Sequence, residues 1–103
     1  MSVKTRRWVP ARALLDVSGR PVRVTGRTAE AVQLMRNRGS VTAADMPAGV
    51  RLAAYIYRLR DAHRVPIIGR KTPTARGDGE FTAYSLGEGV TVISFEAGRW
   101  ADA

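Results

Sequence analysis

The chain of 103 residues has no cysteine, which excludes disulfides and any thiolate-held zinc. It has one histidine, His63, and nine dispersed carboxylates with no pair at a functional spacing, so neither a metal cluster nor an acid–base pair is in sight. No catalytic residue, cofactor or small-molecule substrate is therefore expected, and the chain reads as a non-enzyme. Gly69-Arg70-Lys71-Thr72 lacks the upstream glycine of a phosphate loop. Aromatic residues make up only 7%, too few for an RNA-stacking platform, so aliphatic side chains must carry the core. No apolar run approaches the roughly 20 residues of a membrane span. The basic N-terminus is not followed by the apolar stretch of a secretory signal. These absences point to the cytoplasm, with association to the nucleoid suggested by what is present.

What is present is arginine: fifteen, with two lysines, in a chain of net charge +8. Residues 1–27 hold seven basic groups against Asp16 alone, whereas the remainder holds ten against eight acids. A nearly balanced body behind a strongly basic leading segment is common among nucleic-acid binders. A GC-rich genome accounts for arginine over lysine, but not for the clustering.

Residues 1–12 read as a basic arm with Trp8 and Pro10. Ala13–Val17 and Pro21–Thr25, split by Ser18-Gly19-Arg20, read as a β-hairpin within residues 13–26. Ala31, Leu34, Met35 and Arg38 predict a helix over Thr28–Arg38, with Glu30 in its first turn and Gly39 ending it. Thr42-Ala43-Ala44-Asp45 signals a second helix start, and Pro47 and Gly49 force that helix to be very short. A third helix is expected from about Ala48 to His63. Val65–Arg70 and Phe81–Leu86 read as strands around a loop at Lys71–Glu80, in which Arg76-Gly77-Asp78 is a turn. Val90–Phe95 is a further strand within residues 89–103, able to pair with the N-terminal hairpin or with a second chain.

The third helix carries the most information. Leu52, Ala53, Ile56 and Leu59 form an apolar stripe, and Arg51, Tyr55 and Arg58 fall opposite. A helix packed by its back and showing Arg-Tyr-Arg to solvent is suited to a polyanion. Arg51, near the N-terminus, can bind guanine bidentately, worth about 1–3 kcal/mol of discrimination. Tyr55 can reach sugar, thymine methyl or phosphate. Arg58 is placed for phosphate, and Ala54 is small enough to let the backbone approach. An ordinary solvated helix face is the alternative.

Residues 27–88 resemble the small winged helix-turn-helix domains of phage, prophage and related bacterial regulators. The resemblance rests on Ala31-x-x-Leu34-Met35, on Gly39-Ser40-Val41-Thr42 before a helix ending Ile56-x-x-Leu59-Arg60, and on Phe81-Thr82-Ala83-Tyr84-Ser85-Leu86. It covers about 60 of the 103 residues, with short, degenerate motifs. It departs at His63-Arg64, where such domains often have glycine, and at Pro47-Ala48-Gly49. The resemblance implies an α+β fold of three helices plus a β-hairpin wing, here with an extra N-terminal hairpin and C-terminal strand. It also implies a helix lying in the major groove of double-stranded DNA. The wing would add Arg70, Lys71 and Arg76 at an adjacent groove or backbone. The arm, with Lys4, Arg6, Arg7 and Arg12, reads either as tracking phosphates or as a solubilising tail. The expected function is sequence-specific transcriptional regulation. The alternative is an assembly module of packaging or replication with weak, non-specific binding. Trp8 and Trp100 lie outside the winged module, capping its hydrophobic edge or joining a contact between two copies, and free sheet edges leave a homodimer open.

Overall fold

The computed structural model describes residues 5 to 102. Lys4 lies outside them. The order of elements is β1 (Arg6–Val9), β2 (Arg12–Val17), β3 (Arg20–Thr25), α1 (Gly26–Arg38), a single 3₁₀ turn (Ala43–Asp45), α2 (Leu52–Asp61), β4 (Ile67–Pro73), β5 (Glu80–Leu86), β6 (Val90–Glu96) and β7 (Arg99–Asp102). The fold is α+β with antiparallel strands and two α-helices, not the three that the sequence predicted. No helix among the described residues is long and apolar enough to cross a membrane.

The predicted middle helix fails for a local reason. Thr42 and Asp45 do make the cap the sequence signalled: the Asp45 carboxylate accepts the Thr42 N–H at 2.8 Å and its hydroxyl at 3.2 Å. Pro47 and Gly49, the latter at φ 84°, then stop propagation after one turn. Nucleating a helix costs more than one turn of hydrogen bonds returns. Arg38 Nη1 donates to Asp45 at 2.9 Å and ties the turn to the end of α1.

The hairpin forms as the alternation of Val22 and Val24 suggested. Ser18 and Gly19, at φ 50° and 88°, supply the two left-handed residues of a tight turn. β6 pairs with β2, settling its open choice between the hairpin and a second chain. The three-stranded sheet runs β3-β2-β6. A bulge between Leu14 and Leu15 leaves Ile93 without a partner in β2. Ala13, Leu15, Val17, Val22, Val24 and Val92 face inward and join Ala31, Val32 and Met35 of α1 and Leu52, Ile56 and Leu59 of α2 in one core. The hairpin and β6 thus share the core of the helices.

Residues 6–9, read as an arm, form a strand. β1 pairs with β7, with Trp8 directly opposite Trp100. Their rings meet edge to face with centroids 5.4 Å apart, and the Trp8 ring lies so close over Gly98 that a Cβ there would collide with it. An aromatic cross-strand pair stabilises such a ribbon where local polarity suggests none.

α1 starts at Gly26, two residues before the predicted Thr28, because the Gly26 N–H bonds Ala11 O at 2.7 Å. Glu30 consequently lies beyond the first turn and pairs with Arg27 at 2.7 Å. α1 ends at Gly39, left-handed at φ 83°. α2 starts at Leu52, later than predicted, because Pro47–Val50 makes its own turn. Its exit has no glycine. Arg64 takes φ 53°, and the Val65 N–H turns back to Leu59 O at 2.8 Å. Because a left-handed non-glycine residue costs roughly 1 kcal/mol, Arg64→Gly is expected to stabilise the fold by up to about that amount in urea unfolding. A loss of stability would show that the Arg64 side chain contributes more than its backbone costs.

Candidate nucleic-acid interface

α2 is seated by Leu52, Ile56 and Leu59, all buried. Ala53, which the pattern placed in this stripe, is exposed. At about 100° per residue it falls well off the Leu52–Ile56–Leu59 line. Arg51 is the N-cap rather than a helical residue, extended at φ −92° and ψ 93°, and its side chain is exposed. Arg58 is exposed as well, and its guanidinium lies 5.7 Å from the centre of the half-buried Tyr55 ring. Arg58 therefore lies over the Tyr55 ring. The ring pre-orders Arg58, lowering the entropic cost of fixing that side chain on an anion. Ala54 and Tyr57, the latter 65% exposed, complete the outward surface. Asp61, an exposed carboxylate, ends the helix.

The β4–β5 ribbon is fastened to α2 by Arg60. Its Nη2 donates to Ile67 O at 2.9 Å, and the guanidinium lies 5.8 Å from the centre of the Tyr84 ring. Gly69, paired with Tyr84, lets both approach: a Cβ there would stand 3.3 Å from the Tyr84 ring and 3.5 Å from Arg60. Val41, between α1 and the 3₁₀ turn, exchanges two backbone hydrogen bonds with Tyr84, at 2.8 and 2.9 Å. The β4–β5 ribbon is thereby held at its base to both helices.

The strand alternation separates the predicted wing residues. Lys71 shares a face with Gly69 and Tyr84, the side on which Arg60 lies, whereas Arg70 shares the opposite face with Ile68. Arg76 is exposed at the tip, where Thr74 N–H bonds Gly79 O at 2.9 Å and Asp78 accepts the Thr74 hydroxyl at 2.8 Å. Arg76-Gly77-Asp78 is thus a closed turn. Arg6 and Arg7 lie on β1, opposite Asp102 and Ala101, on a ribbon separate from both α2 and the wing. The structure therefore sets Tyr55 and Arg58 together on α2 with Arg51 at its N-cap, puts Lys71 on the α2 side of the β4–β5 ribbon, and holds Arg70, Arg6 and Arg7 elsewhere.

Two positioning arginines escaped the sequence reading. Arg60 was visible only as the end of the Ile-x-x-Leu-Arg motif. Arg20 Nη2 donates to His63 O at 3.0 Å and Arg64 O at 3.1 Å, placing a cation at the C-terminal end of α2. Its partners are 43 and 44 residues away, and the missing glycine at the helix exit was the only local hint. Far from α2, Arg12 donates to Glu96 at 2.6 Å, and this hydrogen bond and the adjacent positive charge hold the Glu96 carboxyl below its usual range. Among the described residues no cluster of three or more His, Asp or Glu could hold a metal. Comparison of the chain with protein-family models, curated proteins and solved structures finds no match.

Proposed function

We propose that the protein binds double-stranded DNA sequence-specifically, as a small transcriptional regulator of phage-like type. In this reading α1, the 3₁₀ turn, α2 and the β4–β5 ribbon act as a winged helix-turn-helix in which the turn replaces the middle helix. α2 enters the major groove and the wing reaches an adjacent backbone or minor groove. The observation that carries the reading is the two-sidedness of α2: Leu52, Ile56 and Leu59 are buried, while Arg51, Ala54 and Arg58 stand clear of the core. In this proposal Arg51 at the helix start reads base edges and Arg58, which lies over the Tyr55 ring, meets phosphate; the exposure of both supports it. Lys71 and Arg76 extend the same function along the wing, and Arg70 and Arg7 contribute to the general positive field.

A second reading, an assembly module with weak and unspecific DNA binding, draws on the exposed Trp8–Trp100 pair, which lies outside the helical surface. Selecting bound duplexes from a random pool at physiological salt separates the two. A defined motif is the expected outcome. A pool that stays random, despite binding at low salt, would overturn the specific reading in favour of binding by charge alone.

A further inference from the structure

Val9↔Arg99 and Arg12↔Glu96 keep one register across Pro10 and Gly98, so the β1–β7 ribbon prolongs the β2–β6 pair. Residue alternation then fixes the two faces. Ala11, Ala13, Leu15 and Val17 are buried beneath α1 and its neighbours, which turns Trp8, Arg12, Leu14 and Asp16 to the opposite, outer face. Cross-strand pairing adds Trp100, Glu96 and Arg23 to that face. Its middle is a shallow hollow of about 520 Å³.

This face differs chemically from the rest of a chain of net charge +8. Arg6, Arg12 and Arg23 are matched in number by Asp16, Glu96 and Asp102, giving no net charge. Beside them stand Trp8 and Trp100, 50% and 62% exposed, the only tryptophans in the chain. A polyanion gains little from such a surface. A second copy meets no net repulsion there, and beside the Arg12–Glu96 pair, which is closed within the chain, Arg6 and Arg23 can face Asp16 and Asp102 of the other copy about a two-fold axis. Exposed tryptophan beside arginine is also the composition of residues that dominate binding energy at protein interfaces.

We infer that this outer sheet face, centred on Trp8 and Trp100, is where two copies of the chain associate. α1 packs on the other side of the sheet, so the contact leaves α2 free. The inference stands independently of the proposed DNA binding. It is tested without DNA by sedimentation equilibrium of the full chain between about 1 and about 100 μM. The wild type should form a dimer. Trp100→Ala, and Arg23→Glu, which leaves two cations facing four carboxylates, should each weaken it at least about tenfold. Arg23 makes no ion pair among the described residues, so Arg23→Glu breaks no ion pair within the fold. If Trp100→Ala loses its wild-type circular dichroism, Arg23→Glu alone decides. A wild type that stays monomeric overturns the inference, as does a dimer that neither substitution weakens.

Discussion

Replacing Arg51 and Arg58 together by alanine is expected to lower affinity for a selected duplex on the order of 100-fold while leaving stability within about 0.5 kcal/mol of wild type. The two effects separate because neither side chain belongs to the core. Arg51 is an exposed N-cap without a side-chain capping bond, and the exposed Arg58 guanidinium lies over the Tyr55 ring. The single substitutions should also differ in kind. Arg51→Ala should relax discrimination between sequences, since a guanidinium at the helix start contacts base edges. Arg58→Ala should weaken all duplexes alike and reduce the log–log salt slope by about one unit, the signature of one lost phosphate contact. Unchanged binding by the double variant would remove α2 from the interface. A loss that tracks unfolding would show instead that these arginines hold the fold.

Leu59→Ala is expected to have the largest effect on stability, a loss of about 2–5 kcal/mol. Leu59 is fully buried between α2 and the rest of the core, and its carbonyl accepts the Val65 N–H at the helix exit. The vacated volume cannot be filled easily, because Leu15, Val32, Ile56 and Val65 around the core are themselves fully buried. For a domain of this size such a loss corresponds to a drop in Tm of about 10 °C or more. In urea the midpoint should fall with little change in slope. A loss below about 1 kcal/mol would mean that α2 is not seated on the core as described, and the division of its surface into a buried back and an exposed front would fail with it.

The periodic elements were legible in sequence for physical reasons. Val22 and Val24 alternate on β3, and α1 closes on Gly39 where a left-handed residue was needed. Ile56 and Leu59 repeat at helical spacing and are buried, whereas Ala53, on the same reasoning, is not. The signals that misled were those in which a strong local motif met a stronger limit on length. The Thr42–Asp45 cap is made, yet Pro47 and Gly49 leave it a single turn. What stayed hidden depends on distant partners. β1 exists through Trp100, 92 positions away in the paired register, and the exit of α2 is held by Arg20 from the first hairpin. In the candidate interface helical spacing anticipated the Tyr55–Arg58 contact, whereas Arg51, grouped with them by the same spacing, stands at the extended N-cap of α2. The separation of Lys71 from Arg70 required the register of β4 against β5, and the brace from Arg60 to Tyr84 required their packing.

The claim that α2 is the surface presented to DNA is tested most directly by backbone amide NMR during titration with a selected duplex. The account expects the largest shifts at Arg51 to Arg58, with smaller ones around Lys71 and Arg76 and little change along Arg12 to Asp16 on the outer sheet face. Shifts concentrated on the outer sheet face or the β1–β7 ribbon, with α2 unmoved, would contradict it.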